Sequence, residues 1–170
     1  MLNDVFSQWV AFVTRPRAEK KICERLRNKG YIVYVPLQRQ LRKSGNTKVW
    51  RDMVLIPSYV FAKIQKKDLF HIHAEEGVAY VVKCGEEPSI IHEEEINTLK
   101  LLADSKEKLW IHNMESLKKG CRVRVLAGLF EGQEGYLISD CKEGNFAVKI
   151  DSIRYMISLN IDKELLEVIE

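Results

Sequence analysis

No apolar run of about 18 residues occurs in this chain, so a membrane-spanning helix is not expected. The opening MLNDVFSQWV lacks a basic start followed by an apolar stretch, so no signal peptide is expected either. Only four cysteines occur, Cys23, Cys84, Cys121 and Cys141, and no two form a CxxC pair. That spacing supports neither a zinc ribbon nor a disulfide scaffold, and predicts reduced, mostly buried thiols in a cytoplasmic protein. The four histidines are equally scattered: His71 and His73 in a predicted helix, His92 at a helix start and His112 in a predicted linker. None has the HxxxH spacing of a metal pair and none lies near a cysteine, so no metal site is expected. The P-loop, GxGxxG, GxSxG and HExxH patterns are missing, and neither an enzyme nor a cofactor is expected. Glu93-Glu94-Glu95 falls at a predicted helix start, where acids complement the helix dipole without acid–base work.

What is present is charge, unevenly spread. The formal total is only +3, yet residues 15–51 hold twelve Lys or Arg against two acids, a local balance of +10. This segment also carries helix and strand patterns, so it reads as folded surface. A positive face of this kind suits a polyanion, nucleic acid above all. A solvated basic surface with no ligand is the competing reading. Residues 1–106 net +5 and residues 107–170 net −2. That change, with the patterns around it, predicts two domains, 1–106 and 118–170, joined by a linker at 107–117.

In the first domain, Gln8 to Thr14 is an apolar run with Trp, Val and Phe that suits a buried strand. Pro16 suits the first position of a helix. Ala18, Ile22 and Leu26 repeat every four residues and form its buried stripe, widened by Cys23, and Gly30 suits its end. Tyr31 to Leu37 reads as a second strand. Gln38 to Trp50, with Ser44-Gly45-Asn46 at its centre, reads as a basic hairpin. Met53 to Gln65 reads as a third strand with Pro57 near a bend. A short helix over Lys67 to Glu76, a strand over Val78 to Lys83 and a helix over His92 to Ser105 complete the domain. The fold class is α+β: an antiparallel sheet flanked by helices.

From Gly120 the period changes to two. Arg122-Val123-Arg124-Val125 alternates charged and apolar residues, and Gly128, Gly132 and Gly135 punctuate the turn that follows. Later strands are expected over Gly135 to Ser139, Phe146 to Ile150, Ile153 to Leu159 and Leu165 to Ile169. Five short strands in this length predict a small β-barrel.

Three segments in order carry a resemblance. They are Trp9 with Arg15-Pro16-Arg17-Ala18-Glu19-Lys20-Lys21, then Leu55-Ile56-Pro57-Ser58-Tyr59-Val60-Phe61, then Gly128-Leu129-Phe130-Glu131-Gly132-Gln133-Glu134-Gly135. Together they resemble the NusG family of transcription elongation factors, in which an N-terminal NGN domain precedes a C-terminal KOW domain of SH3-like barrel form. The first two segments look closest to specialised paralogues of the UpxY type, which promote transcription of capsular polysaccharide operons. Where the family usually has Pro-Gly-Tyr, this chain has Pro57-Ser58-Tyr59. Its KOW turn has Leu129 where Gly-Pro-Phe is usual, while Gly128, Phe130, Gly132 and Gly135 keep the pattern.

The resemblance implies a transcription factor that binds RNA polymerase and reduces pausing and termination, at specific operons. The alternatives are a general housekeeping elongation factor, or an RNA- or ribosome-binding module without a polymerase role. By resemblance, the coiled coil of the largest polymerase subunit would meet Val13, Pro57, Tyr59 and Phe61. Tyr59 and Phe61 lie two apart on one strand and share a face; packing under a helix is their bland reading. Phe70 and His71 would meet the second-largest subunit. Non-template DNA or nascent RNA would meet Arg15, Arg17, Lys20, Lys21 and Arg27 on the helix. Arg39, Arg42, Lys43, Lys48 and Arg51 on the hairpin would add phosphate contacts. Trp50 stacks on an unpaired base or caps its own hairpin. The KOW barrel would take a ribosomal protein or RNA. Some paralogues hide the polymerase site under a helical KOW domain; the alternation from Arg122 to Val125 predicts strands instead.

Overall fold

The structure, a computed structural model, describes residues 6–115, 120–138 and 145–169. Two compact units divide the chain, Met1–Lys100 and Leu101–Glu170. In the first, strand β1 (Gln8–Thr14) is followed by helix α1 (Glu19–Asn28) and strand β2 (Ile32–Tyr34). Strands β3 (Leu37–Ser44) and β4 (Thr47–Val54) pair with each other as a hairpin outside the main sheet. Strand β5 (Tyr59–Ile64), helix α2 (Leu69–His73) and strand β6 (Val78–Val81) follow. Strands β7 (Lys83–Cys84) and β8 (Glu87–Pro88) form a small ribbon before β9 (Ile90–Ile91) and helix α3 (Glu93–Asp104).

The main sheet is antiparallel, in the order β2-β5-β1-β6, and β9 takes the length of the β1 edge that β6 leaves. Alternation along β1 sends Val10 and Phe12 to one side, where they pack with Val60, Ala62 and Ile64 of β5. Ile22, Cys23 and Leu26 of α1 and Ile72 of α2 cover that side. Helix α1 ends as its sequence foretells. Gly30 has φ +87, its N–H reaches the Arg27 carbonyl at 2.9 Å, and the Tyr31 N–H reaches Leu26 at 3.1 Å. This doubly bonded end satisfies two orphan carbonyls of the last turn.

Several expectations need correction. Pro16 does not start the helix. Arg17 has φ +67, a conformation no α-helix contains, and the Ala18 N–H closes a four-residue turn on the Arg15 carbonyl at 3.1 Å. The run from Met53 to Gln65 is not one strand: β4 stops at Val54, and Ser58 with φ +66 turns the chain before β5. The stretch 107–117, read from the sequence as a linker, holds a strand, β10 (Trp110–Asn113). Its residues 116–117 lie outside the described ones. The thiols are not mostly buried either. Cys23 is buried, and burial pushes its thiol pKa up, but Cys84 and Cys121 are exposed. Cys141 lies outside the described residues.

The second unit continues with β11 (Arg122–Val125), β12 (Glu134–Leu137), β13 (Phe146–Ile150), β14 (Tyr155–Leu159) and β15 (Leu166–Val168). They form an antiparallel sheet of six strands in the order β10-β14-β13-β12-β11-β15. The five predicted strands are thus joined by β10, whose His112 Nε2 lies 2.8 Å from the Ser158 hydroxyl of β14. Ser139, predicted to end a strand, lies outside the described residues. No α-helix occurs among the described residues from 120 to 169. Gly135 allows β12 and β13 to meet: a Cβ there would stand 2.4 Å from the Ala147 carbonyl and 2.7 Å from the Phe146 ring. No described helix is long and apolar enough to cross a membrane.

Candidate functional site

The side of the main sheet opposite α1 is only partly covered. Register places Val13 of β1 beside Tyr59 of β5 on one flank and Tyr80 of β6 on the other. Directly paired residues of neighbouring strands share a face, so Tyr59, Val13 and Tyr80 form one cross-strand row. Tyr80 is 56% exposed, and Val13 and Tyr59 are half-buried. Pro57, at the turn before β5, is exposed beside the row. Sequence reasoning missed Tyr80. A bulge between Val13 and Thr14 breaks the pairing of β1 with β6, so Val78 and Val81 both join the core although they lie three apart. Strict alternation gives no assignment for Tyr80.

Phe61 corrects the expectation of an open ring. It does share the face of Tyr59, but its exposure is 0%. Its ring centroid lies 6.4 Å from that of Tyr34, its cross-strand neighbour on β2. The first turns of α3 also reach this side. The Glu93 carboxylate accepts the Trp9 Nε1–H at 3.0 Å and pairs with Lys63 Nζ at 3.1 Å. These donors, Lys63 foremost, hold the Glu93 carboxyl below the usual carboxylate range. Lys100 Nζ stands 5.9 Å from the Tyr34 ring. Phe61 is therefore core, and the accessible part of this side is the Tyr59–Val13–Tyr80 row.

On the opposite side of the sheet, α2 sends Leu69 and Ile72 into the core and Phe70 and His71 outward. Phe70 is 78% exposed and meets the His71 ring edge-on, with centroids 6.2 Å apart.

Arg15, Arg17, Lys20, Lys21 and Arg27 are all exposed, as are Arg39, Arg42, Lys43, Lys48 and Arg51. Lys20 Nζ donates to the Asp52 carbonyl, which joins the outer face of α1 to the base of the hairpin. Pairing register sorts the hairpin into two faces. Arg39, Leu41, Trp50, Lys43 and Lys48 share one; Gln40, Arg42, Val49 and Arg51 share the other. Trp50 is 57% exposed, and the Arg39 guanidinium lies 5.7 Å from its ring centroid. Arg42 donates to Gln40 Oε1 at 2.8 Å, and Gln40 to Gln38 Oε1 at 2.7 Å, a polar ladder along the second face.

In the second unit, the turn between β11 and β12 has Gly128 at φ +89 and Gly132 at φ +80. The Gly132 N–H closes onto the Val125 carbonyl at 2.8 Å, and Phe130 is buried. Leu129, the residue that departs from the expected pattern, is 59% exposed. Glu134 joins Arg122 and Arg124 across the two strands, each at 2.6 Å. Among the described residues no group of His, Cys, Asp and Glu is placed to hold a metal ion.

A family model described as "Transcription termination factor nusG" matches residues 7–100. Among solved structures, one described as "Domain interaction in Thermotoga maritima NusG" is similar over 96% of this chain and 98% of its own, at 20% identity and a TM-score of 0.58. A second, described as "Crystal Structure of MjSpt4:Spt5 complex conformation B", is similar over 95% of this chain and 97% of its own, at 20% identity. Its TM-score is 0.34. No curated protein sequence matches.

Proposed function

Because this chain belongs to the NusG family, which suggests a transcription elongation factor, we propose that it rides on elongating RNA polymerase through the Tyr59–Val13–Tyr80 row. Two tyrosines flanking an aliphatic residue on a partly open sheet face supply amphipathic contact area at low entropic cost. Such a surface suits the tip of a helical hairpin, here the coiled coil of the largest subunit. Phe70 and His71 then meet the second-largest subunit. The observation that carries the reading is that these two surfaces lie on opposite sides of one sheet. A rigid element held between two polymerase modules opposes their separation, which lowers pausing and termination.

The cations of α1 and the hairpin contact non-template DNA or nascent RNA in this reading, and Trp50 offers a stacking surface beside them. The second unit acts as a KOW barrel and recruits a ribosomal protein or RNA, with the Gly128–Gly135 turn shaping its rim. Ser58 in place of the usual glycine supports a specialised, operon-directed factor of the UpxY type. The chain carries no catalytic chemistry in this reading.

The test is affinity for core RNA polymerase. Tyr59→Ala and Tyr80→Ala each weaken binding by about tenfold, with far-UV circular dichroism unchanged. Unchanged affinity in both folded variants sinks the proposal in favour of a nucleic-acid or ribosome-binding module. Phe61→Ala is no test, because removing a fully buried ring costs about 3–5 kcal/mol of stability.

A further inference from the structure

Two turns at one end of the main sheet share an unusual construction. In each a proline precedes a left-handed residue that is not glycine: Pro16 before Arg17 at φ +67, and Pro57 before Ser58 at φ +66. Proline suits the second position of such a turn, and a positive φ at the third asks for glycine. A side chain there is disfavoured, so the surrounding structure must hold it.

Glu19 is the first residue of α1 and is only 3% exposed. Its Oε1 accepts the Ser58 N–H at 2.6 Å. The Ser58 carbonyl in turn accepts the Thr14 N–H at 2.8 Å. Ser58 is thus gripped at both of its backbone polar groups, one by a neighbouring strand and one by a buried side chain. Among the described residues no Lys or Arg pairs with Glu19. The carboxylate is therefore buried as an acceptor rather than as half of an ion pair, at a helix N-terminus that tolerates its charge. The residue after Ser58 is Tyr59, seated opposite Val13.

We propose that Glu19 is a positioning residue whose buried carboxylate locks the Pro57-Ser58 turn in its left-handed form and so fixes where Tyr59 stands in the row. The functional consequence rests on the docking reading above; the structural lock does not. Without Glu19 the Ser58 N–H loses its acceptor, and the disfavoured φ relaxes toward a conformation that moves Tyr59. A glycine at position 58 takes a positive φ freely and removes the need for the lock.

The experiment uses the full chain in four forms: unaltered, Glu19→Gln, Glu19→Ala, and Glu19→Ala with Ser58→Gly. Backbone amide NMR shifts of residue 59 report the turn, and affinity for core RNA polymerase reports docking. Glu19→Gln keeps an acceptor oxygen and stays within about twofold of the unaltered affinity. Glu19→Ala displaces the Tyr59 amide resonance and weakens binding about fivefold or more. Adding Ser58→Gly returns the resonance and most of the affinity. A Tyr59 resonance that does not move in Glu19→Ala overturns the proposal, as does a double variant that regains thermal stability without regaining that resonance. If Glu19→Ala does not fold, the double variant decides: folding with the native Tyr59 resonance supports the lock, and failure to fold overturns it. Should the unaltered chain not bind polymerase, the docking reading falls, while the resonances still decide the role of Glu19.

Discussion

Glu75 follows α2 and pairs with two cations, Arg25 of α1 and Lys29 just past the end of that helix. Arg25 Nε stands 2.7 Å from one of its oxygens and Lys29 Nζ 2.5 Å from the other, and its side chain is 6% exposed. Arg25 also donates to the Glu76 carbonyl. Lys29, and then Arg25, hold the Glu75 carboxyl below its ordinary range against the opposing pull of burial. Because the folded pKa is depressed, the stability it contributes is complete above the unfolded value of about 4.3 and is lost as pH falls through the folded value. Glu75→Gln therefore costs about 1–2 kcal/mol near neutral pH, the half-exposed cations being free to return to water. The gap between its urea midpoint and that of the unaltered chain narrows as pH is lowered from about 6 toward 3. A gap independent of pH would show that the charge contributes nothing. The same pairing sets Arg25 and Lys29 apart from the cations proposed to meet phosphates: their charge is matched within the fold.

At the scale of elements, the hairpin is the clearest case of charge placed by register. Lys43 and Lys48 face each other beside its tip, while Arg42 and Arg51 emerge on the other side. Replacing Lys43 and Lys48 by Gln is expected to reduce the slope of log affinity against log salt by about 0.7–0.9 for each phosphate that these lysines neutralise. Titration of a single-stranded oligonucleotide at several salt concentrations measures this, and an unchanged slope removes the tip from the interface. The hairpin was legible in the sequence because Ser44-Gly45-Asn46 marks its centre, and α1 because Ala18, Ile22 and Leu26 mark one stripe. What was not legible depended on partners remote in sequence. The Pro57-Ser58 turn interrupts a run that reads as one strand, and only Glu19 and Thr14 show why it holds. Phe61 obeys the same alternation as Tyr59, yet it packs beside Tyr34 and is fully buried. Trp110 to Asn113 follows a helix in a polar stretch, and its strand character comes from pairing with β14, far along the chain.

At the scale of the molecule, the charge balance and the two sheets divide the labour in the proposed function. The positive residues 1–106 would carry the polymerase and nucleic-acid contacts, and the net-negative remainder would contribute little to phosphate binding. An operon-directed factor predicts that depletion changes transcripts downstream in one or a few operons, read by genome-wide RNA sequencing. A uniform change across long transcripts points to the housekeeping alternative instead.

Strand β1 is bonded along one edge to β5 and along the other to β6 and β9 in succession. Of the described strands in this unit it alone is enclosed on both edges by three partners, and Val10, Ala11 and Phe12 have 0% exposure. No local fraying can bare its amides; only loss of the whole unit does so. In deuterium oxide the amide hydrogens of Val10 to Phe12 should be the last of this unit to be replaced, at a rate that reports its global stability. The hairpin outside the sheet should label first, before any partner has bound.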